Sequence, residues 1–125
     1  MNTSADASVP AAVPVEEHSF ARFLVELRHI TRFMTAAANG HPLNDAVKHI
    51  ESNPAFAQSR LLSRVITALN TRQGEFRTAE VSVFDGETLK LIVGLMHAKD
   101  AGTFTSGEWD SAVNRIHAAL CAWDA

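Results

Sequence analysis

Gly74-Glu75-Phe76-Arg77-Thr78-Ala79-Glu80-Val81 returns 28 positions later as Gly102-Thr103-Phe104-Thr105-Ser106-Gly107-Glu108-Trp109. Each copy runs from a glycine to a Phe, then a Ser/Thr, then a Glu, then an apolar residue. Glycine accepts the left-handed conformation that ends a helix, and a hydroxyl residue followed three positions later by Glu begins one. The repeat therefore describes where helices stop and restart. It is architecture, not chemistry.

Downstream of the second copy the signal is clear. Thr105-x-x-Glu108 has the spacing of a capping box, with Phe104 and Trp109 placed as its hydrophobic staple. Trp109, Ala112, Val113, Ile116, Leu120 and Trp123 then form one apolar face to the terminus. After the first copy two readings compete. Val81-Ser82-Val83-Phe84 has strand propensity, whereas alignment with the second copy favours a helical turn from Thr78. The helical reading leads into a longer helix over 85–99, in which Leu89, Ile92, Val93 and Met96 make the buried stripe and Leu91 and Leu95 widen it. A helix so apolar belongs in the middle of a bundle.

Upstream, Phe20, Phe23, Leu24, Leu27, Thr31 and Met34 recur at three and four, the period of one helix face. Asn39-Gly40 and Pro42 are expected to end that helix. A second helix is predicted over 43–52 with Ala46, Val47 and Ile50 inward. Asn53-Pro54 then reads as N-cap and first turn of a third, which buries Leu62, Val65, Ile66 and Leu69 and is stopped by Gly74. Residues 1–17, rich in Ala, Ser, Val and Pro without a period, read as a flexible, disordered N-terminal tail. The expected fold is all-α: a compact bundle of about five helices with short connections, forming a single helical domain over 18–125.

The composition, 46% apolar and 20% charged with a net charge of −3, is that of a soluble globular chain. A slight acidic excess argues weakly against indiscriminate nucleic-acid binding, which draws on a basic surplus. The average conceals a division. Residues 20–73 carry seven Arg/Lys and three acids, a net of +4; residues 74–125 carry four and eight, a net of −4. Such halves can pair internally, bind a second copy, or present a basic face to an anion. The single cysteine, Cys121, excludes an intrachain disulfide and suits a reducing compartment. The apolar run Leu91 to Met96 falls far short of the ~20 residues that span a bilayer. With no basic, apolar leader at the start of the chain, a cytoplasmic location and no membrane partner are expected.

Four constellations bear on chemistry. Phe56, Arg60, Arg64, Thr67 and Thr71 fall opposite the core stripe of the third helix, where guanidiniums beside an aromatic ring suit phosphate and base. The plainer reading is a solvated face. As a helix-turn-helix the match is poor, since no glycine marks the turn and Pro54 opens the second helix. Arg28 and Arg32, with His29 and Arg22 behind, make a basic strip on helix one that can dock on an acidic surface, and Glu26 is placed to satisfy Arg22 locally. Glu26-x-x-His29 has the spacing by which bundles hold iron, but it occurs once and points away from the apolar stripe. His41, Asp45 and His49 are spaced at four, with His41 ahead of the helix, so no metal site is expected. His117 lies one turn from Cys121, but side chains on one helix run parallel and do not converge on a substrate; Cys121 reads as a half-buried packing residue.

The functional expectation is a non-enzymatic helical module, without cofactor, acting by macromolecular interaction or regulation, with a protein partner or a second copy of itself. Its candidate contacts are Arg28, Arg32, Phe56, Arg60 and Arg64. The alternatives are a nucleic-acid-binding regulator using the Arg-bearing third helix, and a bundle holding a metal or cofactor.

Overall fold

The computed structural model describes residues 17–35 and 40–124. The tail expected over 1–17 lies outside the described residues except for Glu17, and so does Asn39. Among the described residues the elements are β1 (Glu17–Ser19), α1 (Phe20–Ile30), α2 (Pro42–Ser52), α3 (Ala57–Thr71), β2 (Glu75–Arg77), a 3-10 helix (Thr78–Ser82), α4 (Gly86–Ala101) and α5 (Ser106–Asp124). The fold is all-α, with five α-helices and one pair of three-residue strands. β1 and β2 are antiparallel, with His18 opposite Phe76.

Contacts at the helix ends fix the directions of α2–α5. Arg60 in the first turn of α3 bonds Asp124 at the end of α5, and Asn70 near the end of α3 bonds Asp110 near the start of α5, so these two run oppositely. The Gln58 side chain donates to the Val83 carbonyl and accepts from the Asp85 N–H, which places the start of α4 beside the start of α3. His41 and Phe104 meet ahead of α2 and α5, their ring centroids 4.6 Å apart, while Arg115 reaches Glu51, so α2 and α5 run in the same sense. Two of the three joints among these helices are hairpins. The third, residues 72–85, carries the chain from the end of α3 back to its start, and β2 and the 3-10 helix are that crossover. α1 packs on the crossover and covers it.

The repeated motif sits at the two places where a helix restarts. After α4, Gly102 takes a left-handed φ of 65°, with Thr103 N–H donating to the Ala98 carbonyl and Gly102 N–H to the Lys99 carbonyl. That is a Schellman stop, and glycine suits it because no Cβ opposes the turn. The capping box then forms as expected. Glu108 N–H donates to Thr105 Oγ1 at 3.1 Å and Thr105 N–H to Glu108 Oε1 at 2.9 Å, with Phe104 edge-on to Trp109. The first copy repeats half of this wiring, Arg77 N–H donating to Glu80 Oε1 at 2.7 Å. It opens only a 3-10 helix of five residues, because Asp85 caps α4 directly afterwards by accepting from Thr88 N–H. The helical alternative therefore describes residues 78–82, and the strand lies earlier, at Glu75–Arg77.

Several boundaries differ from expectation. α1 ends at Ile30, short of Met34, because Thr31 turns back on it: its N–H and hydroxyl both donate to the Leu27 carbonyl. Asn53 does not open α3. It closes α2, its amide donating to the His49 carbonyl, and Phe56 is the N-cap residue of α3. Arg72, not Gly74, takes the left-handed position that ends α3, at φ 62°. Leu61 joins the buried residues of α3, whereas Trp123, expected on the buried face of α5, is 58% exposed. The hydrophobic core is centred on Phe23, Leu27, Ile50, Leu62, Ile66, Phe76, Ile92, Leu95, Trp109 and Ile116.

Candidate functional site

Three of the five candidate residues are arginines now held by acids on other elements. Arg28 makes two hydrogen bonds to Asp100, of 3.0 and 3.1 Å, and these hold the Asp100 carboxyl below the ordinary carboxylate range. Arg60 bonds Asp124 at 2.8 Å, which lowers Asp124 and raises Arg60 from their usual values. Arg64 pairs with Glu80, donates to the Glu75 carbonyl at 2.8 Å and lies over the Phe76 ring at 4.9 Å. Burial pushes the Glu80 carboxyl up, but the Arg64 guanidinium and the Arg77 N–H together bring it below its ordinary value. A fourth pair, Glu51–Arg115, ties α2 to α5. Of the three uses open to the divided charge, internal pairing is the one seen for Arg28, Arg60 and Arg64.

Arg32 differs. It donates to the His29 carbonyl at 2.6 Å and covers the Phe33 ring at 4.7 Å, and among the described residues no acid lies within ion-pair distance of it. Nor does Arg22 pair with Glu26, one turn away; the outward row of α1 is thus Arg22, Val25 and His29, followed by Arg32 and Phe33 in the turn. Val25 is 65% exposed and Phe33 87%. Of the basic strip on helix one, Arg28 is tied to Asp100, whereas Arg32 stands outward against the exposed Phe33.

Phe56 is 60% exposed at the start of α3. Two further side chains stand near that turn. Val83, 54% exposed, adjoins it through its carbonyl bond to Gln58, and Trp123 through its neighbour Asp124, which is bonded to Arg60. Sequence reasoning missed both. Trp123 continues the apolar period of α5, and only the tertiary arrangement shows that the period outruns the core.

The remaining constellations stay apart. No group of three or more His, Cys, Asp or Glu is placed to hold a metal among the described residues. His41 Nδ1 caps α2 by accepting from Asn44 N–H, Asp45 is exposed, and His49 is half-buried. His29 is exposed beside a half-buried Glu26. Cys121 is exposed, not half-buried as expected. No helix among the described residues is long and apolar enough to cross a membrane. Comparison with protein-family models, curated proteins and solved structures gave no match.

Proposed function

We propose that this chain is a non-enzymatic helical module that acts by binding another macromolecule, with the outward face of α1 as its principal contact surface. The observation that carries the reading is Phe33, 87% exposed with the Arg32 guanidinium 4.7 Å over its ring, together with Val25, 65% exposed on α1. Large apolar side chains grouped at a surface mark interaction sites far more often than scattered ones do, and an aromatic ring with adjacent arginines is the usual make-up of a contact that carries binding energy. Arg22 and Arg32, which pair with no acid among the described residues, favour a partner with acidic groups around an apolar patch.

The nucleic-acid-binding alternative relies on Arg60 and Arg64, whose guanidiniums are already engaged with Asp124 and Glu80. A phosphate would have to displace a bonded carboxylate at each, which leaves that reading less support.

The test is capture from the native cell with the chain as bait, repeated with Val25→Ser/Phe33→Ser. The proposal expects a protein that co-purifies with the parent chain and is lost with the double variant while the circular dichroism of the bait is unchanged. Nucleic acid as the sole captured species, lost when Arg60 and Arg64 become Ala, would favour the alternative instead.

A further inference from the structure

The buried residues divide into two layers. α2, α3, α4 and α5 pack on one another around Ile50, Leu62, Ile66, Leu95, Trp109 and Ile116. α1 packs instead on β1, β2 and the 3-10 helix, with Phe20, Phe23 and Leu27 as its buried side chains. Among the described residues, the one side-chain hydrogen-bonded tie from α1 to α2–α5 is Arg28 to Asp100, and both side chains of that pair are exposed. The crossover is fastened to α3 without help from α1. Arg64 donates to the Glu75 carbonyl and pairs with Glu80, and Gln58 bonds the Val83 carbonyl and the Asp85 N–H. Residues 31–41, which join α1 to α2, outnumber 53–56 and 102–105 at the two hairpins, so the chain has length for α1 to move off without displacing α2.

We infer that β1 and α1 form an arm that opens as one unit while α2–α5 stay folded, and that opening uncovers Phe76 and Phe84. Both rings are buried while the arm is closed. Phe23 lies against each of them, with centroids at 3.8 and 6.3 Å, and Phe20 meets Phe76 at 6.4 Å. Proteins open locally in contiguous cooperative units, and the units part where few contacts cross between them. Here the seam holds one group of stacked rings and one exposed ion pair, against a four-helix core on the other side. β1 must leave with α1, because Ser19 is both the last residue of the strand and the N-cap of the helix. The arm is thus a built-in cover over an apolar surface, whatever binds its outer face.

Hydrogen exchange of the full chain, followed by NMR at low urea concentrations, tests this. Amides of residues 24–30, bonded within α1, should exchange about tenfold or more faster, relative to their intrinsic rates, than the slowest amides of α3 and α5. They should also share one urea dependence, the mark of a unit that exposes surface together. Ile116→Val supplies the decisive comparison. Ile116 is fully buried on α5, and trimming it weakens the bundle equally whether the arm is closed or open. The variant should speed the slowest α3 and α5 amides several-fold and leave those of α1 unchanged. Equal acceleration in α1 would show that the arm comes away only with the whole fold, and would overturn the inference. Protection in α1 as strong as in α3 would do the same. So would a graded loss toward Ile30 without urea dependence, which is fraying of a helix end and not the opening of an arm.

Discussion

Phe23 lies flat on Phe76, ring centroids 3.8 Å apart and planes 11° from parallel. One ring belongs to α1 and the other to β2, so the stack fastens the first helix onto the crossover. Phe20 meets the same Phe76 ring at 6.4 Å and Arg64 lies over it. Both phenylalanines are buried. Phe76→Ala is expected to cost about 3–5 kcal/mol, the usual range for removing a buried ring, read from the shift of a urea transition. A loss below about 1 kcal/mol would mean that α1 is not held through this ring.

Gly94 permits the close approach of α2 to α4. A Cβ placed on it would stand 3.1 Å from Pro42 Cβ. Two effects of Gly94→Ala oppose each other. Alanine in a helix interior gains about 1 kcal/mol over glycine, while forcing a methyl into a filled contact costs about 1–3 kcal/mol. Pro42 opens α2, and its Cβ is locked in the ring, so it cannot rotate aside. The expected outcome is a net loss, larger for Gly94→Val. Gly86 is the control, since nothing stands within 4 Å of the Cβ position there. If Gly94→Ala raised the melting temperature, the contact would have slack.

The helices were legible because their signals are local. The capping box at Thr105–Glu108 and the apolar period of α3 depend only on neighbours in sequence, and both appear in the structure. What escaped depends on the fold. Arg60 and Arg64 look free on a helical wheel because a wheel cannot show that the crossover brings Glu80 to one and the end of α5 brings Asp124 to the other. Trp123 looks buried because its spacing matches Ile116, although the core stops first. Asn53 is ambiguous for a subtler reason: its amide can close one helix as readily as its oxygen can open the next, and composition does not say which.

Acid should weaken the fold through four carboxyls. Asp100, Asp124 and Glu80 are held below their ordinary values chiefly by arginines, and Asp85 by the Thr88 N–H. A carboxyl whose pKa is lower when folded contributes stability that is fully present above its unfolded value and is lost as pH falls toward the folded one. With ordinary values of 4.5 for Glu and 3.8 for Asp, the urea midpoint should stay level near neutrality and drop as pH passes below about 4.5. The pairs are largely exposed, so each is worth little. Asp100→Asn should reduce the acid-dependent loss. An unchanged pH profile in that variant would mean that the Arg28 pair contributes nothing in solution.

Ser59 and Ser63 stand one turn apart on α3, and both are buried. Ser63 Oγ donates to the Arg60 carbonyl at 2.7 Å, whereas Ser59 Oγ has no hydrogen-bond partner. A buried hydroxyl left unpaired costs about 1–3 kcal/mol relative to one that is satisfied. Alanine removes that group, and it is also the better helix former. Ser59→Ala should therefore stabilise the fold by about 1 kcal/mol, a rise in melting temperature of about 4 °C for a domain of this size. Ser63→Ala gives up a bond that is already made and should be close to neutral or mildly destabilising. The contrast between the two is the sharper test, because helix propensity acts equally on both. Should Ser59→Ala fall below Ser63→Ala in thermal melts, the Ser59 hydroxyl must have a partner in solution, and a water held between the helices would be the group to look for.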